Sequence, residues 1–198
     1  GEAVENIFKH NLTGVDLDRR AQQLSMFALL LKACQKDRSY ADARCMPHIL
    51  TMPKVWDEEK NGSHTRAISA FFQGNETGKM MLEMNDAMNL MKDADSLGSI
   101  MKFDISDSTR LALVQALEYW KKNSFAPESV TAILPYIDLI LTLTTKYSAL
   151  VMNPPYMGSG NMNAELSKYV KDNYEDTKAD LCTVFFDVQA ERTINGGY

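Results

Sequence analysis

The feature that most constrains this chain is an apolar run that ends in two consecutive prolines. Residues 149–152 read Ala-Leu-Val-Met, and Asn153, Pro154, Pro155 and Tyr156 follow at once. An apolar run bounded by turn formers predicts a short buried strand of a parallel sheet. The prolines lack N–H donors and fix φ, so the strand must stop and Asn153 must lie at its rigid carboxyl end. Ligands bind at that edge of open α/β sheets, so we expect a functional site here.

The residues of this turn suit a nitrogen that must attack an electrophile. The side-chain carbonyl of Asn153 and the backbone carbonyl of Pro154 can accept both N–H bonds of an exocyclic or amide nitrogen, whose lone pair is otherwise delocalised. Their dipoles would then face the positive charge that develops as the nitrogen attacks a methyl group. Tyr156 offers a flat face on which an extruded base can stack. A strand ending in a Pro-Pro turn with a core tyrosine is the alternative, and four residues alone leave both interpretations open.

A resemblance to a known family rests on these residues. The run 153–156 after an apolar strand resembles the catalytic motif of amino-methyltransferases, above all the N6-adenine DNA methyltransferases. The longer run 153–160, Asn-Pro-Pro-Tyr-Met-Gly-Ser-Gly, and residues 178–181, Lys-Ala-Asp-Leu, are similar to the large adenine-specific methyltransferases of BREX phage-defence systems and their restriction-linked relatives.

The resemblance implies a cofactor, partners and roles for individual residues. It implies catalytic roles for Asn153, Pro154, Pro155 and Tyr156, with Met157 lining the pocket. The cofactor would be S-adenosylmethionine, and the partner would be double-stranded DNA with an adenine flipped out. Further partners would be other subunits of phage-defence or restriction-modification systems.

A strand followed by a helix is predicted near the N-terminus. Residues 11–18, Asn-Leu-Thr-Gly-Val-Asp-Leu-Asp, predict a short strand that ends in acidic residues. Asp18 is placed to cap a helix that ends near Lys36. The apolar residues of that helix at helical spacing are Leu24, Phe27, Ala28 and Leu31.

Asp16 is the candidate cofactor ligand of this first strand. An acid at the carboxyl end of a parallel strand can accept bonds from both hydroxyls of a ribose. An ordinary turn or cap aspartate is the alternative, and it is the favoured interpretation of the residue by itself. Gly14–Asp18 is similar to the family's second motif, whose first acid holds the ribose of S-adenosylmethionine. The resemblance therefore implies that role for Asp16.

Composition fits one globular domain and limits the contribution of this chain to DNA binding. The 198 residues are 45% hydrophobic and 24% charged, which is enough for one sizeable core. The formal net charge is -5, whereas phosphate binding needs clustered lysine and arginine. Any strong grip on DNA is therefore expected to come from elsewhere.

Cysteine and histidine usage predicts a reduced, metal-free protein. Cys34, Cys45 and Cys182 form no C-x-x-C pair, which favours free thiols in the cytoplasm. The histidines show no ligand spacing, so we expect no metal. The sequence shows neither an apolar run of membrane-spanning length nor a charged stretch followed by an apolar segment at its start, so we expect neither membrane insertion nor secretion.

The alternation of strands and helices predicts an α/β fold with a doubly wound parallel sheet. A second strand is expected between Pro47 and Pro53, and helices over residues 108–122, 127–144, 164–174 and 180–193. Residues 57–96 are predicted to be a helical insertion, in which methionines 80, 84, 88 and 91 pack in the hydrophobic core. Residues 158–160 read as a flexible loop.

The resemblance also implies which parts of the fold this chain supplies. Residues 1–198 would be the central part of one Rossmann-like class I methyltransferase domain, with helices on both faces of the sheet. The glycine-rich turn of the first strand and the target-recognition domain would lie outside it. No residue fits the acid of the family's third motif, since Asp57 follows Trp56 at the wrong place. Leu97–Ile100 is also seen in the BREX-type enzymes, without an evident physical role.

Two other functions are compatible with the sequence. Enzymes that methylate a glutamine amide of protein release factors use the same Asn-Pro-Pro-Tyr, although the insertion at 57–96 does not suit those compact proteins. A non-catalytic interaction module on the same fold is favoured by the acidic charge and by the lack of a glycine-rich turn. If the missing first strand lies between the strands ending at Asp16 and Asn153, the isolated chain is expected to be inactive and to self-associate.

Overall fold

The computed structural model describes residues 2–38, 40, 45–123 and 125–198. The chain divides into two compact units, residues 1–52 and residues 53–198. Where the chain is described, no helix combines the length and the apolar character that crossing a membrane requires.

The first unit is an α/β arrangement. Its elements are α1 (Glu2–Asn6), which continues as a π-helical turn (Ile7–Asn11), β1 (Thr13–Asp16), α2 (Arg19–Lys36) and β2 (His48–Thr51). The two strands pair in parallel, with Thr13 opposite His48 and Asp16 opposite Thr51. Both strands and the helix between them confirm the predicted α/β fold. Asp18 caps α2 as predicted, because its carboxylate accepts the backbone N–H of Arg20 at 2.8 Å.

The apolar face predicted for α2 is wrong. Leu24, Phe27 and Leu31 are 68%, 58% and 49% exposed. The core of this unit instead contains Phe8, Ala33 and Tyr40, packed by half-buried side chains that include Leu29, Leu30 and Cys34 of α2. Apolar residues occur around most of the circumference of α2, so their spacing alone does not select the buried face.

The second unit is built from helices in its described part. They are α3 (Glu58–Asn61), α4 (His64–Phe71), α5 (Gly78–Leu90), α6 (Ala94–Leu97), α7 (Asp107–Lys122), α8 (Glu128–Thr144), α9 (Ala164–Asn173) and α10 (Leu181–Arg192). Three short 3-10 turns occur at Met91–Asp93, Gly98–Ile100 and Ser159–Asn161. The four helices predicted after residue 107 are confirmed to within about two residues.

The core of the second unit forms around α8. Val130, Ile133, Ile137 and Ile140 are fully buried, and α8 packs against α4 and α7. The methionines of the 57–96 segment are core residues as predicted, since their exposed fractions are 8%, 0%, 3% and 1% in chain order from Met80 to Met91. The residues that α7 buries are Thr109, Leu113 and Ala116.

The strand predicted at residues 149–152 is not formed. These residues have no regular secondary structure, and Val151 is 97% exposed. A buried parallel strand needs a neighbouring strand to pair with and cover on both faces. In the described chain, the N–H of Leu150 donates instead to the carbonyl of Tyr198, beyond the end of α10, at 2.7 Å.

Candidate active site

The Asn-Pro-Pro-Tyr motif lies in the irregular segment between α8 and α9. Asn153, Pro155 and Tyr156 are exposed, and Pro154 is half-buried. The exposed fraction of Tyr156 is 92%, so its ring does not belong to the core. The alternative of a core tyrosine behind a Pro-Pro turn is therefore wrong.

The two acceptors of the motif have no hydrogen-bond partner in the part of the chain that the structure describes. Within the described residues, neither the side chain of Asn153 nor the carbonyl of Pro154 takes part in a hydrogen bond. Pro154 and Pro155 have no backbone N–H, so this turn offers hydrogen-bond acceptors and no backbone donor at these two residues. Two neighbouring carbonyl oxygens therefore remain available for the N–H groups of a ligand.

The segment after the motif is bound to the N-terminal end of α10. The N–H of Leu181 donates to the carbonyl of Met157 at 2.9 Å, and the N–H of Ser159 donates to the carbonyl of Ala179 at 2.9 Å. Residues 158–160, which the sequence predicts as a flexible loop, are thus part of a 3-10 turn that is fixed by backbone hydrogen bonds. The Lys-Ala-Asp-Leu run at 178–181 provides the other half of these contacts, and Asp180 caps α10 through the N–H of Cys182 at 2.8 Å.

Cys182 makes a weak hydrogen bond to the motif and does not have the properties of a nucleophilic cysteine. Its sulfur lies 3.6 Å from the carbonyl oxygen of Pro155. Burial raises the pKa of the Cys182 thiol, and the neighbouring Asp180 carboxylate raises it further. The thiol therefore stays protonated and donates to Pro155, whereas nucleophilic cysteines need a lowered pKa.

The segment before the motif is bound to the opposite end of α10. The N–H of Tyr147 donates to the carbonyl of Arg192 at 2.8 Å, and the N–H of Ile194 donates to the carbonyl of Tyr147 at 2.9 Å. Leu150 donates to Tyr198 at 2.7 Å. The pairing of Tyr147 with Thr193 is parallel.

Asp16 lies at the carboxyl end of β1, where the sequence predicts it. One carboxylate oxygen accepts the N–H of Asp18 at 2.8 Å, which fixes the side chain at the entrance of α2. The residue is exposed, and in the described chain its second oxygen has no hydrogen-bond partner. This geometry leaves a carboxylate oxygen free to accept a hydroxyl group.

The predicted site residues do not all fall in one unit. The four residues of the motif belong to the second unit, and Asp16 belongs to the first. Asp57, which the sequence left without a role, caps α3 by accepting the N–H of Lys60 at 3.0 Å. The described residues contain no group of three or more histidine, cysteine or acidic side chains that could bind a metal.

Comparison with known proteins assigns the family. A parallel strand pair with an acid at its carboxyl edge, and a separate Asn-Pro-Pro-Tyr turn with free acceptors, fit the methyltransferase class predicted from the sequence. Residues 10–198 match the Eco57I restriction-modification methylase family, and the chain belongs to that family. The assignment confirms the resemblance drawn from the motif, and a methylase of this kind requires a methyl-donor cofactor.

Two curated relatives match nearly the whole chain. Adenine-specific methyltransferase PglX of Lacticaseibacillus casei (strain Zhang) is 31% identical over 192 residues, which are 94% of this chain and 15% of PglX. Adenine-specific methyltransferase BrxX of Escherichia coli O9:H4 (strain HS) is 30% identical over 197 residues, which are 90% of this chain and 16% of BrxX. The chain thus spans about a sixth of the length of these relatives.

Proposed function

We propose that this chain is part of an enzyme that transfers a methyl group from S-adenosylmethionine to the N6 amine of adenine in double-stranded DNA. The observation that carries the proposal is that, among the described residues, no group bonds to the acceptors on Asn153 and Pro154. Family membership supports it, as do the two relatives, both named as adenine-specific methyltransferases.

The two acceptors act on the nitrogen of the substrate. The side-chain carbonyl of Asn153 and the backbone carbonyl of Pro154 accept the two N–H bonds of the adenine amine. This geometry draws the nitrogen lone pair out of conjugation and directs two dipoles at the charge that develops on nitrogen. Pro155 keeps the turn rigid because its φ is fixed. Bound S-adenosylmethionine supplies the electrophilic methyl group.

Tyr156 and Asp16 bind the two reactants. The exposed ring of Tyr156 stacks on the adenine, which must leave the duplex because the N6 amine is otherwise engaged in base pairing. Asp16 accepts hydroxyl groups of the cofactor ribose through the oxygen that Asp18 does not use. Met157, which follows the motif, contributes to the wall of the adenine pocket.

The cellular role that fits this activity is phage defence or restriction-modification in the cytoplasm. We propose that residues 1–198 form the central part of the catalytic domain and that residues 57–96 are a helical insertion within it. DNA recognition is then assigned to other parts of the enzyme, because the formal net charge of this chain is -5. Further subunits of the same defence system are the proposed protein partners.

A substrate comparison tests the proposal. The full-length enzyme is incubated with radiolabelled S-adenosylmethionine and either bacterial DNA that lacks adenine methylation or a glutamine-bearing release factor. We expect label in DNA only, recovered as N6-methyladenine after digestion to nucleosides and mass spectrometry. Label on a glutamine amide of the protein, or no transfer to either substrate, contradicts the proposal.

A further inference from the structure

Helix α10 contacts the chain on both sides of the Asn-Pro-Pro-Tyr motif. Its N-terminal end binds residues 155–159, and its C-terminal end and the residues that follow bind residues 147–150. The 12 residues of α10 give it a length of about 18 Å. The stretch 151–154 between these two sets of contacts has no regular secondary structure. Its position is therefore set by where α10 lies.

Arg192 connects the C-terminal end of α10 to another part of the second unit. Its guanidinium donates to the carbonyl of Ser99 at 2.6 Å and to the carbonyl of Met101 at 2.7 Å. Its own backbone carbonyl accepts the N–H of Tyr147 at 2.8 Å. One residue thus contacts both the turn Gly98–Ile100 and the segment that enters the motif.

The chemistry of these contacts favours arginine. A guanidinium is a planar fork with five donors, so it can bind two carbonyl oxygens at once, whereas a lysine ammonium is a compact point charge. The positive charge also lies at the C-terminal end of a helix, where the helix dipole favours a cation. The side chain is half-buried, so its bonds are partly shielded from water.

The turn Gly98–Ile100 begins with an unusual backbone conformation. Gly98 has φ +57° and ψ -140°, a combination that side chains strongly disfavour. Besides the two carbonyls that Arg192 binds, the carbonyl of Ile100 accepts the hydroxyl of Tyr174 at 2.6 Å. These contacts give a physical role to the Leu97–Ile100 segment, for which the sequence suggested none.

We propose that Arg192 is a positioning residue for the catalytic motif, acting by binding α10 to the Gly98–Ile100 turn. This inference rests on the proposed function. Loss of the fork would let α10 shift, and the bonds to Tyr147 and Leu150 would shift with it. A displacement of about 1 Å at reacting groups can lower a rate about 100-fold, so Arg192 affects the chemical step without touching substrate.

The test compares two variants in the full-length enzyme. Arg192→Lys keeps the charge and loses the fork. Tyr174→Phe is the matched control, because it removes one hydrogen bond to the same turn from a residue outside α10. We expect Arg192→Lys to lower kcat for DNA methylation about 10- to 100-fold, with the Kd for S-adenosylmethionine unchanged and a fall in Tm no larger than that of Tyr174→Phe. Tyr174→Phe is expected to retain kcat.

Hydrogen–deuterium exchange measures the same positioning without any assay of activity. The amide hydrogen of Leu150 bonds to Tyr198, which follows the C-terminal end of α10, and that of Ser159 bonds to Ala179, which precedes its N-terminal end. We expect both to exchange faster in Arg192→Lys and at the wild-type rate in Tyr174→Phe. This measurement stands even if the wild-type enzyme methylates another substrate, so failure of the proposed function and failure of this inference are distinguishable.

A second variant tests the other end of α10. Ser159→Pro removes the N–H that bonds to Ala179, at the first position of a 3-10 turn where the φ of proline is accepted. We expect it to lower kcat and to speed exchange at Leu181.

Unchanged kcat and unchanged exchange at Leu150 in Arg192→Lys would overturn the inference. So would equal losses of kcat and Tm in Arg192→Lys and Tyr174→Phe, since a purely structural role predicts that result.

Discussion

Tyr156 presents a ring that is 92% exposed, directly after the free acceptors of the motif. Stacking of a base on an aromatic ring contributes about 1–3 kcal/mol. We therefore predict that Tyr156→Ala lowers kcat/KM for DNA methylation about 10- to 100-fold, whereas Tyr156→Phe retains the wild-type value. Steady-state kinetics with the full-length enzyme measures both. Phe125→Ala is the control, because Phe125 is an 83% exposed aromatic outside the motif.

Asp16 makes a different prediction, because the proposed ligand of its free oxygen is the cofactor. Asp16→Asn keeps an oxygen that can accept the N–H of Asp18 and loses the charge. We predict that the Kd for S-adenosylmethionine rises about 10- to 100-fold, since a hydrogen bond to a charged group contributes about 1.5–3 kcal/mol. Calorimetric titration of the full-length enzyme gives the Kd.

Asp18→Asn is the matched control for Asp16→Asn. It makes the same chemical change two residues away, and asparagine caps a helix as well as aspartate does. Wild-type affinity is expected for this control. Equal Kd values for the two variants would remove the assignment of Asp16.

Residues with a role in the proposed chemistry could be predicted from the sequence when a short motif carries them. Asn153 and Tyr156 follow two prolines, and Asp16 follows a short strand, so local pattern and chemistry suffice. Arg192 gives no such signal. Its partners are the backbone carbonyls of Ser99 and Met101, more than 90 residues earlier in the chain. Every residue has a backbone carbonyl, so the sequence does not indicate which carbonyls an arginine will bind.

Among the elements of the second unit, α5 and α7 are joined by a largely buried carboxylate. One oxygen of Glu83 accepts the N–H of Ser106 at 3.2 Å and its hydroxyl at 3.0 Å. The side chain is 14% exposed, and Lys79 lies 3.5 Å away. Burial raises the pKa of Glu83, but hydrogen bonds from Thr109 and Ser106 and the charge of Lys79 outweigh it, so that the pKa is lowered.

We predict that Glu83→Ala lowers the free energy of opening of the first turn of α7 by about 2 kcal/mol at pH 7, since bonds to a charged group are lost. Glu83→Gln keeps an acceptor and is expected to cost less. A lowered folded pKa gives stability that is present above the unfolded pKa and lost as pH falls through the folded pKa. The difference between wild type and Glu83→Gln therefore shrinks at acidic pH.

Native-state hydrogen exchange of the α7 amides, corrected for intrinsic rates, measures this free energy in the full-length enzyme. Glu118→Gln is the control, because Glu118 is an exposed residue of α7. A difference between wild type and Glu83→Gln that grew toward acidic pH would contradict the sign of the pKa shift.

The existence of the elements could be predicted more reliably than their environment. Helices α2, α8 and α10 and strands β1 and β2 are predictable from apolar spacing, capping residues and flanking prolines. The buried face of α2 was not predictable, because apolar residues surround the helix and distant packing decides which are covered. Residues 149–152 are as apolar as a core strand, but pairing and cover depend on other elements and not on local composition.

At the scale of the whole molecule, the isolated 198-residue chain is expected to bind S-adenosylmethionine negligibly and to methylate nothing. One bond from Asp16 supplies about 1.5–3 kcal/mol, whereas micromolar affinity requires about 8 kcal/mol. The β1–β2 sheet of the described chain has unpaired outer edges, and Leu24, Phe27 and Leu31 expose an apolar face. Both features favour self-association.

Calorimetric titration with the cofactor and light scattering on the isolated chain check this prediction. Self-association without measurable heat is the expected result. A stable monomer with micromolar affinity would mean that the chain forms a complete cofactor site, contrary to the proposal that it is the central part of a domain.

The most direct test of the central claim is the methylation rate of Asn153→Ala in the full-length enzyme. Asn161→Ala is the matched control, since Asn161 is another exposed asparagine in the 3-10 turn after the motif. We predict that Asn153→Ala abolishes transfer to adenine and leaves the Kd for S-adenosylmethionine unchanged, while Asn161→Ala methylates normally. Near-normal methylation by Asn153→Ala would contradict the account, because the amine would then not depend on the side-chain carbonyl of Asn153.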